Sequence, residues 1–167
     1  RRVLFRSVVR EKRAVYTQLL NSRGGIEADV TITQLPNGTY LLITGTASAR
    51  HDKAWLEKIA EREGFSVTIT DVSQEYAVFG IWGPRAREIM APLTDIDLSH
   101  EAFPFGASRE ASIAGVKVRM VRITYVGELG WEIYIPRNNN ADPLTVWQLI
   151  FDAGTPLGLL PCGYRRS

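Results

Sequence analysis

The residues best spaced for chemistry lie in Tyr125-Val126-Gly127-Glu128-Leu129-Gly130-Trp131-Glu132. Two extended runs, Val118 to Val126 and Trp131 to Ile135, flank a turn signal, and Gly127 and Gly130 bracket it with residues suited to positive φ. A loop centred between Glu128 and Leu129 pairs Val126 with Trp131 and sets Tyr125 directly opposite Glu132. Opposite residues share a sheet face with Cβ atoms ~5 Å apart, so a phenol and a carboxylate can address one ligand. An ionised carboxylate accepts two parallel hydrogen bonds, which suits a flat heterocycle with adjacent N–H donors. The plainer reading is a hairpin whose Glu132 is solvated and whose Tyr125 caps a core.

The elements that must position this pair follow from patterning. Ile26 to Leu35 alternates, with Ile26, Ala28, Val30 and Ile32 on one face and Glu27, Asp29, Thr31 and Thr33 on the other. Pro36-Asn37-Gly38 turns the chain into a return strand over Tyr40 to Thr44. A helix from Ser48 to Glu63 turns Trp55, Leu56, Ile59 and Ala60 inward and stops at Gly64. Phe65 to Val72 and Tyr76 to Trp82 form a second strand pair, and Gly83-Pro84 opens a short helix. A Phe103-Pro104-Phe105-Gly106 hinge leads to strands near Ala107 to Ile113, Val116 to Val126 and Trp131 to Ile135. Asp142-Pro143 caps a last helix with Leu144, Trp147, Ile150 and Phe151 inward, ending at Gly154. Strand pairs leading three times into helices predict an α+β fold, mainly antiparallel sheets with packed helices.

Composition narrows the classes. At 167 residues, 45% hydrophobic and 23% charged, the chain can bury a globular core. No apolar run approaches the ~20 residues of a membrane span, and no nucleotide-binding Gly-x-Gly-x-x-Gly turn is present. The single Cys162 excludes an internal disulfide framework, and with His51 and His100 far apart no metal site is expected. The net charge of +2 is terminal in origin. Residues 1–13 hold six Lys or Arg and one Glu, and Arg165 and Arg166 add two positives, leaving 12 basic and 17 acidic residues between. Neither a nucleic-acid partner nor a membrane is expected. Segment 1–13 is read as a basic end apart from a domain spanning 14–164.

Tyr-Val-Gly-Glu-Leu-Gly-Trp-Glu-Ile-Tyr at 125–134 resembles the signature hairpin of the tetrahydrofolate-binding, glycine-cleavage T-protein-like superfamily. Gly24-Gly25-Ile26-Glu27-Ala28-Asp29 and Leu42-Ile43-Thr44-Gly45-Thr46-Ala47 resemble two further segments of it, in the same order, so the likeness covers roughly residues 14–164. The glycine-cleavage aminomethyltransferase usually has two consecutive acids at Ala28-Asp29 and favours Thr and Asp at Val126 and Leu129. These departures resemble the folate-binding half of dimethylglycine and sarcosine dehydrogenases.

The resemblance implies an aminomethyltransferase-like folate-binding fold, here truncated at its C-terminus. The implied function is capture of the imine from oxidised dimethylglycine or sarcosine as 5,10-methylenetetrahydrofolate. Tetrahydrofolate is the implied cofactor, with FAD in a separate domain of the parent, a flavin-dependent oxidoreductase domain as partner and a small one-carbon donor. It makes Asp29 the catalytic acid beside the folate N5/N10 edge and makes Tyr125 and Glu132 the pterin anchors. The implied location is cytoplasmic, or the mitochondrial matrix in a eukaryote. Two alternatives stay open: the glycine-cleavage aminomethyltransferase itself, and a non-catalytic regulatory or scaffold module of the same fold.

Overall fold

Residues 9–137 and 142–163 are described by a computed structural model. The two Arg-rich ends, 1–7 and 165–167, lie outside the described residues. The chain divides into two compact units between Ser73 and Gln74.

The first unit is built on an antiparallel sheet in the order β1 (Ala14–Leu20), β2 (Ile26–Gln34), β3 (Tyr40–Ile43), followed by helix α1 (Ala49–Arg62). Leu19, Ala28, Val30 and Ile32 are buried on one sheet face, and Leu42, Trp55 and Leu56 pack against them. The alternation of β2 thus places its apolar residues as expected, except that Ile26 stays exposed. Val9 also packs on this core, and Glu11 bridges to Gln34. Helix α1 stops at Gly64, whose φ of +69° lets the Phe65 N–H reach back to the Ala60 carbonyl.

Two expectations for this unit need correction. Residues 65–72 form no strand, and Phe65 and Val67 are exposed. Among the described residues no ladder pairs this segment, and a lone strand has no sheet hydrogen bonds to form. Glu27 does not share a face with Asp29. The β1–β2 register slips between Leu19, paired with Ala28, and Leu20, paired with Ile26. That bulge leaves Glu27 without a partner residue and re-aims its side chain. Its carboxylate accepts from Asn21 at 2.8 Å and lies 3.7 Å from His51 at the start of α1.

The second unit is a four-stranded antiparallel sheet in the order β4 (Tyr76–Trp82), β7 (Gly130–Pro136), β6 (Val116–Val121), β5 (Ser108–Ile113). Helices α2 (Ala86–Met90) and α3 (Pro143–Gly154) complete it. One sheet face carries the core: Ile81, Trp131, Ile133, Ile135, Met120 and Ile113 are all buried. Removing each such side chain from water contributes about 1.5–3 kcal/mol. Phe103 is fully buried and stacks on Trp131 at 6.2 Å, so this end of the 103–106 segment is an anchor rather than a hinge.

Asp142 caps α3 as its sequence implies, accepting from the Leu144 N–H at 3.1 Å, with Pro143 in the first turn. The inward stripe is not the expected one. Val146, Ile150 and Gly154 are buried, whereas Leu144 is exposed and Trp147 and Phe151 stack on each other at 4.9 Å. Val146 and Gly154 lie four residues on either side of Ile150, so a narrower helical face satisfies the core. A 3₁₀ turn over Thr155–Leu157 then extends the helix to Gly158, whose φ of +85° ends it.

Candidate functional site

The polar face of the second sheet is fixed by its register. Glu132 stands opposite Val121 on one side and Gly80 on the other; Tyr134 stands opposite Arg119 and Val78. Strand alternation therefore sets Trp82, Gly80, Glu132, Tyr134 and Arg119 on the face away from the core.

This register corrects the expected pairing of Tyr125 with Glu132. Strand β6 ends at Val121, and Tyr125 lies in a connection over residues 122–129, 91% exposed. The reason is a set of backbone partners far away in sequence. The Arg122 N–H donates to the Ala107 carbonyl at 2.9 Å, and the Gly106 N–H donates to the Arg122 carbonyl at 2.8 Å. The Ile123 carbonyl accepts from the Trp82 indole at 2.9 Å, and the Leu129 carbonyl accepts from the Gly83 N–H at 2.8 Å. With these groups satisfied elsewhere, the β6–β7 ladder cannot extend to Tyr125. Gly127 has the expected positive φ of +85°. Gly130 serves differently, because a Cβ there would overlap the Ile81 carbonyl oxygen and the Trp82 side chain.

The residue that meets Glu132 is Tyr134, two positions along the same strand. Its buried hydroxyl donates to Glu132 Oε2. Burial first, then the charge and hydrogen bond of Glu132, push the phenol well above its ordinary value. Tyr134 therefore stays a donor and leaves Glu132 with acceptor capacity. The signal for this role was the i, i+2 spacing of Glu132 and Tyr134, which a strand places on one face. Tyr134→Phe should cost about 1.5 kcal/mol, the lower end for hydrogen bonds to charged groups, readable as a shifted urea midpoint. An unchanged midpoint would contradict the bond.

Beyond Tyr134 the same face holds a concavity of about 410 Å³, lined by Tyr76, Asp95, Glu110, Lys117, Arg119 and Tyr134 among others. Arg119 is already engaged, 2.7 Å from Glu110 and 3.2 Å from Ser108 Oγ.

Asp29 belongs to the other unit, on β2 opposite Gln18. It is exposed and accepts a hydrogen bond from Tyr16 at 2.9 Å. That bond is the main reason the Tyr16 phenol is raised. Tyr16 and Gln18 share the face of Asp29, so the carboxylate sits in a polar, open setting.

A second polar cluster was hidden in the sequence. Asp52, on α1, is 1% exposed and accepts from Thr44, from Ser48 at 2.8 Å and from His51 Nδ1 at 2.9 Å. Burial opposes its ionisation, but the bonds from His51, Thr44 and Ser48 prevail and hold it below the ordinary carboxylate range. His51 is exposed yet bridges Asp52 and Glu27. This cluster ties α1 to the bulged end of β2. Cys162 is exposed, and among the described residues no group of three or more His, Cys, Asp or Glu is arranged to hold a metal ion. No helix among them is long and apolar enough to cross a membrane.

Comparison with known proteins agrees with this architecture. The GCVT N-terminal domain family matches residues 2–166. The mitochondrial dimethylglycine dehydrogenase of Mus musculus is 39% identical over 143 residues, covering 86% of this chain and 16% of that protein. An aminomethyltransferase of Saccharopolyspora erythraea is 36% identical over 157 residues, covering 94% of this chain and 41% of that protein. The chain thus spans less than half the length of either relative. In fold it is similar to the crystal structure of the glycine cleavage system aminomethyltransferase T from Bartonella henselae. There the TM-score is 0.66 at 24% identity, over 86% of this chain and 36% of that one. A buried core face, a polar face carrying Glu132 and a match over nearly the whole chain lead to one assignment: the chain belongs to the GCVT N-terminal domain family.

Proposed function

We propose that this chain is the reduced-folate-binding part of a one-carbon transfer module. The observation that carries the reading is the Glu132 carboxylate, held by the buried Tyr134 hydroxyl on the polar face of a sheet whose other face is solid core. A fixed carboxylate of this kind suits the amino-pyrimidine edge of a pterin, which offers adjacent N–H donors for two charge-assisted bonds. Tetrahydrofolate bound there would supply the nitrogen nucleophiles that take up the one-carbon unit. Tyr125, exposed on its loop, is the second proposed anchor and would close over the ligand from the 122–129 connection.

Asp29 is the proposed catalytic acid. An exposed carboxylate oriented by Tyr16 can stabilise a cationic imine or carry a proton between nitrogen atoms. The proposed donor is the imine of dimethylglycine or sarcosine, made by a flavin domain outside this chain. Support for that branch comes from the dehydrogenase match and from Ala28, which is buried in the core of the first unit where an acid would be costly. The 36% match to an aminomethyltransferase favours the second reading, in which the donor is the aminomethyl group of the glycine-cleavage system.

Asp29→Asn separates chemistry from binding. In the parent enzyme it should lower the yield of methylene transfer per turnover about 100-fold, the lower end for a positioned acid or base, with folate affinity within twofold. Transfer at the original rate would remove Asp29 from the mechanism.

A further inference from the structure

Gly80 and Gly130 show what else shapes the Glu132 site. A Cβ on Gly80 would overlap Cη2, Cζ3 and Cζ2 of Trp82, and a Cβ on Gly130 would overlap its Cδ1. The indole therefore lies over the backbone of both glycines, on the same face as Glu132, whose strand partner is Gly80. Its six-membered ring covers the position directly across from the Glu132 carboxylate. Its N–H is fixed by the Ile123 carbonyl at 2.9 Å, at the root of the connection that carries Tyr125. The residue is only partly buried.

From this we propose that Trp82 is a positioning and specificity-determining residue, an aromatic wall that orients a flat, bicyclic heterocycle against Glu132. The inference rests on the folate reading and deepens it. Glu132 fixes the hydrogen-bonding edge of the ligand but leaves it free to swing about those bonds. A rigid indole beside the carboxylate removes that freedom by stacking or edge contact. Two glycines in place of β-formers are the structural requirement for that wall, since any larger residue at either position displaces the ring.

The test is titration of the 167-residue chain and its variants with 5-formyltetrahydrofolate, an air-stable reduced folate. Trp82→Leu should weaken binding about tenfold, the scale of losing one aromatic stacking surface, while Trp82→Phe stays within threefold of the original. A merely structural Trp82 would lower the unfolding midpoint of Trp82→Leu and leave its affinity alone. A second measurement needs no folded Leu variant. In the ¹⁵N-labelled chain the Trp82 indole N–H signal, identified by its loss in Trp82→Phe, should shift at saturation while that of Trp147 stays. Binding that depends on Glu132 but leaves Trp82→Leu at the original affinity, or the Trp82 signal unmoved, overturns this proposal alone. No saturable binding by the unmodified chain overturns the folate reading, and this proposal with it.

Discussion

Asp52→Ala will destabilise the first unit by about 2–4 kcal/mol, because it removes a buried carboxylate that accepts three side-chain hydrogen bonds at once. The carboxylate is 1% exposed and accepts from Thr44, Ser48 and His51, joining the end of β3 to the first turn of α1. Alanine takes the acceptor from the Thr44 hydroxyl, leaves Ser48 the Gly45 carbonyl at 3.1 Å and leaves His51 with Glu27 alone at 3.7 Å. The effect depends on pH with a definite sign. The folded carboxyl is held below its unfolded value, so its stabilisation is fully present above the ordinary carboxylate range, about pH 4. It fades as pH falls through the depressed folded value. Urea unfolding at pH 7 and near pH 2 measures this: the gap between the original chain and Asp52→Ala should be wide at pH 7 and clearly narrower in acid. A gap of equal size at both would contradict an ionised Asp52.

Glu132→Ala is the corresponding change for function. It should weaken reduced-folate binding by about 1.5–3 kcal/mol, roughly 10- to 150-fold, the value of hydrogen bonds to a charged group. Stability should fall as well, by about 1.5–3 kcal/mol, because the buried Tyr134 hydroxyl loses its acceptor. An affinity measured well below the lowered urea midpoint separates loss of a binding group from loss of the fold. Titration calorimetry beside a urea midpoint reads both, and an unchanged affinity would take Glu132 out of the site.

How much of this was legible in the sequence depends on how local the deciding interactions are. Strand β2, helix α1 with its Gly64 stop, and the Asp142-Pro143 cap of α3 follow from patterns a few residues long, and the structure has them within a residue or two. Trp131 on the core face likewise follows from alternation once β7 is recognised. The β6–β7 register does not follow, because it is decided by Gly106, Ala107, Trp82 and Gly83, which are remote in sequence. The turn glycines of 125–132 fit a tight hairpin equally well, so local chemistry alone favoured the shorter loop. Glu27 was misplaced for a related reason: a bulge shifts parity without leaving a composition signal. Asp52 looked like one more charged residue on an amphipathic helix, and only the return of β3 brings Thr44 to it.

The candidate site was legible in type more than in arrangement. Glu132 lies on a polar sheet face, as alternation requires, but its phenolic partner in the structure is Tyr134 and not Tyr125. Asp29 lies on a polar face, as expected, with Tyr16 as its donor. Trp82 carried no sequence signal of its own. Its meaning comes from two glycines on adjacent strands, Gly80 and Gly130, that leave it room.

The central claim is that this chain binds reduced folate through the residues named. Anaerobic titration of the 167-residue chain with tetrahydrofolate, followed by heat and by the fluorescence of its four tryptophans, tests it most directly. An Asp29→Ala, Glu132→Ala double variant run in parallel is the control. Saturable binding at one site per chain, lost in the double variant, is the predicted result. Absence of saturable binding, or equal binding by the double variant, would contradict it.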